Sequence, residues 1–211
     1  MDSAKRTSGK RAVNYSSRTS GIGKGLPLIP YALFTMPYAL NKGKNIMKII
    51  IGAPVKGFQL KTVLSQYLAD RGHEIIDVGC YETDRFVKYP SIAERVAGAL
   101  REGAAPLAIN LCGSGTGAAI SVNKFSGVLA CACESVKTAV LCRVVNDANC
   151  LCMGEDIVTE SLACEMAEAF IGAAFQDNPN VSPEIREFWK EARDEMIAKG
   201  SPAQNREIEM L

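Results

Sequence analysis

From Met47 onward, short apolar runs alternate with longer segments of helical character, and the connections between them are brief. Runs such as Lys48-Ile-Ile-Ile51 have no polar face. A strand that is hydrophobic on both sides belongs in a sheet covered on both sides, which is the condition of a parallel sheet. Strands are expected over 47–53, 74–79, 106–112, 127–133 and 149–153, and helices over 57–71, 90–102, 115–124, 135–145, 158–175 and 183–199. Pro90 and Ser182-Pro183-Glu184 are helix-start signals, and Gly72 and Gly103 are stops. Five such βα units predict an α/β fold with a doubly wound, five-stranded parallel sheet. Ligands of such folds sit at the carboxyl ends of the strands.

One strand end stands out. Leu107-Ala-Ile-Asn-Leu-Cys112 runs into Gly113-Ser114-Gly115-Thr116-Gly117 and then into a segment that reads as a helix. Glycines let backbone N–H groups approach a ligand closely, and a helix start adds partial positive charge. Two chemical readings fit. In one, Gly113-x-Gly115-x-x-Ala118 is a dinucleotide fingerprint, with Glu134 at the end of the next strand to grip a ribose hydroxyl. The motif, however, follows the third strand rather than the first. In the other, Cys112 is a base that removes a proton beside a carbonyl, and the glycine N–H groups hold the resulting oxyanion. A small buried cysteine before a tight turn is the structural alternative. The pattern alone leaves all three open.

Composition narrows the partners. The 211 residues are 47% hydrophobic and 22% charged, values of an ordinary globular protein. Residues 1–46 hold eight Lys or Arg against the single Asp2, a net of +7, which leaves −6 on the remainder. A mildly acidic body argues against nucleic acid as partner, because phosphate backbones demand a basic face. No run reaches the ~18 apolar residues of a membrane span, so a soluble, cytoplasmic protein with no membrane partner is expected. The basic leader, expected to be disordered, resembles an organellar transit peptide in composition; an upstream start codon is the simpler account, since Met47 opens the first strand. The eight cysteines include no C-x-x-C pair. Cys131/Cys133 and Cys150/Cys152 fall within strand-like runs, where two steps separate side chains by about 6.6 Å. That is too far for thiolates on one zinc, so reduced, buried thiols and no metal are expected. The body is expected over 47–176, followed by an amphipathic helix and polar tail over 177–211. Ile185, Phe188, Trp189, Ala192 and Met196 form the helix stripe, suited to a partner subunit or to its own domain.

Taken jointly, several segments carry a family resemblance: Met47-Lys-Ile-Ile-Ile-Gly52, Gly57-Phe-Gln-Leu-Lys61, Arg71-Gly72, Ile75-Ile-Asp-Val-Gly79, Tyr89-Pro90, Cys112-Gly-Ser-Gly-Thr-Gly117, Asn123-Lys124 and Asn146-Asp-Ala-Asn149. The body resembles the type B ribose-5-phosphate isomerase and galactose-6-phosphate isomerase family. The resemblance implies a Rossmann-like α/β/α sandwich and a homodimer with active sites between subunits. It also implies cofactor-free aldose–ketose isomerisation of a sugar phosphate through a cis-enediolate. By position, Cys112 matches the base and Ser114 stands where the family usually has Thr. Gly113, Gly115 and Gly117 match the anion hole, with Thr116 among them a further substrate-binding candidate, Tyr89 matches a pocket wall, and Asn146 a ligand of substrate oxygen. Arg186 matches a phosphate-binding arginine loosely.

The departures matter equally. Members that open furanose rings have Asp-His after the first strand, where this chain has Pro54-Val55, and a second histidine where it has Val145. The only histidine, His73, lies at a helix–strand connection and is expected to be solvated. Without an imidazole for ring opening, an open-chain substrate such as a tetrose or tetrulose 4-phosphate is expected, handled by Cys112 and the anion hole. A catalytically silent sugar-phosphate-binding or partner subunit is the alternative. Lys56, Arg143 and Arg186 are the candidate ligands for the substrate's phosphate.

Overall fold

The computed structural model describes residues 46–198. The basic extension expected before the body lies outside the described residues apart from Ile46, as does the polar tail beyond Ala198. In chain order the elements are β1 (Lys48–Gly52), α1 (Phe58–Ala69), β2 (Glu74–Asp77), α2 (Tyr89–Arg101), β3 (Leu107–Cys112), α3 (Thr116–Val122), β4 (Ala130–Ala132), α4 (Val136–Asn146), β5 (Cys150–Gly154), α5 (Glu160–Gly172) and α6 (Pro183–Ala198). The strands pair in parallel in the order β2-β1-β3-β5-β4. This is the doubly wound, Rossmann-like α/β/α sandwich.

The apolar strands divide their side chains between two cores, as period-two alternation requires. Ile49, Ile51, Leu107, Ile109, Leu111, Leu151 and Met153 pack with Leu60, Leu64 and Leu68 of α1, with Ala139 and Cys142 of α4, and with Met166 and Phe170 of α5. Ile50, Ala108, Cys112, Cys150 and Cys152 face α2 and α3, meeting Ile92, Val96, Ala118 and Val122. Each fully buried aliphatic side chain contributes about 1.5–3 kcal/mol, so the β1–β3–β5 centre is the rigid part on which the loops stand.

Several local expectations need correction. His73 is half-buried, not solvated, and its Nδ1 accepts the Met47 N–H at 3.4 Å. Strand β4 is shorter than its apolar run, and Cys133 lies beyond it. The Cys150 and Cys152 sulfurs approach to 3.9 Å, much closer than a strand repeat, because both side chains lean toward one another in a dry core. Helix α6 buries Ile185 and Trp189 in its own chain, while Phe188 and Met196 remain exposed. Arg193 fixes it further, donating to Asp147 at the end of α4 at 2.9 Å.

Candidate active site

In this strand order the chain leaves β1 toward one edge for β2 and returns to the other side for β3. The crevice between the carboxyl ends of β1 and β3 is therefore the topological switch point, where ligands of such sheets bind. Two loops form it: residues 53–57 after β1 and residues 113–115 after β3.

Cys112 ends β3 and is 6% exposed. Its sulfur accepts the backbone N–H of Gly115 at 3.1 Å, which fixes the side chain against the glycine turn. Gly115 has φ of +77°, and a Cβ there would lie 2.8 Å from the Met153 carbonyl carbon. Only glycine fits this turn. Among the described residues, the N–H groups of Gly113, Ser114, Thr116, Gly117 and Ala118 donate to no protein acceptor. They form a row of donors beside the thiol. Ser114 and Thr116 are exposed, and their hydroxyls are 2.7 Å apart at the mouth.

Neighbouring elements wall this site. Gly57, at φ +115°, lets the start of α1 approach Cys112, since a Cβ there would be 3.1 Å from the Cys112 backbone. The Tyr89 ring lies over Gly117, 3.3 Å from where a Cβ would stand. Pro54 is buried and Val55 half-buried, so the positions after β1 offer no proton-transferring group. Lys56 reaches across to Asp156, with Nζ 3.2 Å from Oδ1 and both side chains well exposed. Beneath the crevice, the buried Asn110 donates to the Ala118 carbonyl at 3.3 Å and ties β3 to α3.

Glu155 and Asp156 are absent from the sequence-based candidates. The Glu155 carboxylate accepts the Leu60 N–H in the first turn of α1 at 3.1 Å, and its own N–H donates to the Cys112 carbonyl at 2.9 Å. The Asp156 N–H donates to the Gly113 carbonyl at 2.9 Å, and its Oδ2 lies 3.1 Å from the Cβ position of Gly113. Their signal in the sequence is their place directly after a strand. That β5 lies beside β3, however, is a property of the strand order.

Three candidates are not brought to Cys112. Asn146 closes α4, and β5 begins four residues later, so this corner lies at the amino-terminal edge of the sheet. Cys112 pairs with Gly154 at the opposite edge, about 13 Å from the start of β5 by strand rise. Arg143 donates to Asp147 at 2.6 Å and to the Ala148 carbonyl at 3.2 Å. Arg186 donates to the Asn178 carbonyl at 2.8 Å. Gln176 N–H bonds to the Val144 carbonyl, and its side chain to the Arg186 carbonyl, so Arg186 belongs to the same corner. Asn146 is exposed there. Within one chain the two sets do not meet. Among the described residues no group of three or more His, Cys, Asp or Glu is placed to hold a metal ion, and no helix is long and apolar enough to cross a membrane.

The ribose/galactose isomerase family matches residues 49–186, a span that includes the switch-point crevice and the Asn146 corner. The chain belongs to that family. Among its relatives, 4-deoxy-4-sulfo-D-erythrose isomerase of Clostridium sp. (strain MSTE9) is 40% identical over 72% of this chain and 94% of that protein. Ribose-5-phosphate isomerase B of Escherichia coli (strain K12) is 37% identical over 61% of this chain and 86% of its own length. The solved structure of ribose-5-phosphate isomerase B from Clostridium thermocellum superposes with a TM-score of 0.63 at 32% identity, covering 70% of this chain and 96% of the other. This ribose/galactose isomerase family member is an aldose–ketose isomerase. The glycines after Cys112 lie within the matched span.

Proposed function

We propose that this protein interconverts an open-chain four-carbon aldose and its ketose, each carrying a terminal anion, through a cis-enediolate with Cys112 as base. The observation that carries the reading is the position of the Cys112 sulfur beside a row of unengaged N–H donors at the switch point. Cys112 takes the proton from the carbon next to the carbonyl, and the electron pair moves onto the carbonyl oxygen. The free N–H groups of Gly113, Ser114, Thr116 and Gly117 hold the enediolate oxygens, a type of contact worth about 3–4 kcal/mol in other oxyanion holes. The Ser114 hydroxyl stands near the oxygens that exchange a proton. Cys112 then returns its proton to the adjacent carbon.

Substrate size follows from what is missing. A four-carbon sugar substituted at C4 has no hydroxyl left to close a five-membered ring, so it needs no ring-opening acid or base. Pro54 and Val55 supply none. The similarity to an isomerase named for 4-deoxy-4-sulfo-D-erythrose supports the same substrate length. At the rim, Lys56 is the cation available in the same chain for the terminal phosphate or sulfonate. Asn146, Arg143 and Arg186 reach the substrate only from a second copy, so the reading includes a homodimer with active sites between subunits.

The test is aldose–ketose turnover by the full chain across C4 to C6 sugar phosphates and 4-deoxy-4-sulfoerythrose, beside Cys112→Ala. Four-carbon substrates are expected to turn over at least tenfold faster than ribose 5-phosphate. Carbon-bound deuterium from D2O is expected with the native chain and not with the variant. Equal rates on ribose 5-phosphate and the four-carbon sugars would defeat the open-chain reading. Full activity in Cys112→Ala would remove the cysteine base.

A further inference from the structure

We infer that Asp156 determines which terminal anion this site accepts, favouring a singly charged sulfonate over a doubly charged phosphate. The inference rests on the reading that a four-carbon sugar enters with its carbonyl end inward.

Depth orders the site. Cys112 is 6% exposed, whereas the Lys56 and Asp156 side chains are 71% and 56% exposed. A substrate whose reacting carbon meets the buried sulfur therefore leaves its charged end toward the rim. Both rim side chains border the residue after the base: the Lys56 Cβ is 3.8 Å and the Asp156 Oδ2 3.1 Å from the Cβ position of Gly113. The Asp156 backbone is anchored by its N–H to the Gly113 carbonyl at 2.9 Å, which keeps the carboxylate beside the crevice.

The cation at this rim is already half of a neutral pair. Lys56 Nζ is 3.2 Å from Asp156 Oδ1, and among the described residues Oδ2 accepts no hydrogen bond. An anion that takes a proton donor from Lys56 sits within a few ångströms of that carboxylate. Lysine attraction and carboxylate repulsion then nearly cancel, and each added negative charge on the ligand adds repulsion at short range. A sulfonate carries one negative charge at any working pH. A phosphate monoester carries about −1.5 to −2 at pH 7, with a second pKa near 6. The other acidic groups nearby are engaged: Glu155 accepts the Leu60 N–H at 3.1 Å, and Glu160 accepts from Gln59 at 3.1 Å.

The experiment compares kcat/KM for 4-deoxy-4-sulfo-D-erythrose and D-erythrose 4-phosphate in the full native chain and in Asp156→Asn, at pH 8 and pH 5.5. The native chain is expected to lose several-fold of its sulfonate preference at pH 5.5, where phosphate becomes a monoanion. Asp156→Asn is expected to lower the sulfonate-to-phosphate ratio about tenfold at pH 8 by raising phosphate turnover, and to abolish the pH trend in that ratio. Asp156→Ser provides the same comparison if the amide disturbs folding. A ratio within twofold of native in a folded, active variant overturns the role of Asp156. No turnover of either sugar by the native chain instead overturns the four-carbon reading beneath it.

Discussion

The sulfur of Cys112 is held by the N–H of Gly115, three residues on, at 3.1 Å. The same left-handed turn that aims this N–H inward frees the N–H groups of its neighbours. The proposed base and the proposed oxyanion donors are thus products of a single backbone conformation, and they stand or fall together.

Gly115→Ala is therefore expected to injure both stability and chemistry. An L-residue at φ +77° costs about 1–2 kcal/mol, and a methyl 2.8 Å from the Met153 carbonyl carbon adds overpacking of about 1–3 kcal/mol. Urea unfolding should show a total loss of ~2–5 kcal/mol, and kcat should fall at least a hundredfold. Native kcat in a folded variant would separate the turn from catalysis.

A second expectation concerns the segment Gly57-Phe-Gln-Leu-Lys61, whose lysine is 3% exposed. Lys61 Nζ lies 2.5 Å from Asp77 Oδ2 and 2.6 Å from the Cys80 carbonyl, with the Phe58 and Tyr81 rings each 5.2 Å away. It bolts α1 to the end of β2. Lys61 is buried while Asp77 is partly exposed, so losing these charged hydrogen bonds in Lys61→Ala should cost about 1.5–3 kcal/mol. Lys61→Met with Asp77→Asn should recover most of that. If the double variant is no more stable than the single one in urea, the pair is not the source of the loss.

The thiols around α4 carry a pH signature. The neighbouring Cys142 thiol draws the Cys131 thiol down to about 7, against the opposing effect of burial. Cys142, whose S–H donates to the Ala139 carbonyl at 3.2 Å, is pushed up by the neighbouring Cys131 and Cys133 thiols and keeps its proton. Cys131 is also the half-buried thiol of the eight. Iodoacetamide should label it first, about tenfold faster at pH 8 than at pH 6, and Cys142→Ala should flatten that rise. Because the folded value lies below the ordinary 9.0, this thiol favours the fold increasingly from pH 7 to pH 9, and the gain disappears as pH falls through 7. Labelling of Cys131 that begins to rise only near pH 9 would contradict the influence of Cys142.

Legibility in the sequence followed physical range. Strand β3 is readable because Leu107 to Cys112 is an apolar run stopped by glycines, and the observed Leu107–Cys112 differs from the expected run by one residue. Helices α2 and α4 likewise fall within a residue of their expected bounds, since proline and serine mark their starts. Cys112 and its glycines form one local motif, so the centre of the crevice needs no tertiary information. Asp156 was invisible because its contact with Gly113 depends on β5 lying beside β3, which no local pattern encodes. The role of Lys61 was hidden for the same reason, its partners Asp77 and Cys80 coming from another element. Asn146 is a candidate by position in the family pattern and Arg143 by its place just before it, yet position does not reveal which end of the sheet a helix terminus occupies.

That separation gives the sharpest test of the assembly. Asn146 and Cys112 sit at opposite edges of the sheet in one chain, so a site using both must draw them from two copies related by a twofold axis. Cys112→Ala and Asn146→Ala should each be nearly inactive alone, since every site in either homodimer carries one defect. In a mixed dimer one site collects both defects and the other has none. Random re-association of equal amounts after dissociation makes half of the dimers mixed, and half of their sites intact. Activity should then return to about a quarter of native. Because Asn146 is exposed and holds no hydrogen bond among the described side chains, its loss leaves the fold undisturbed. A mixture that stays as inactive as its components, with mixed dimers verified by differential tagging, would place the whole site within one chain.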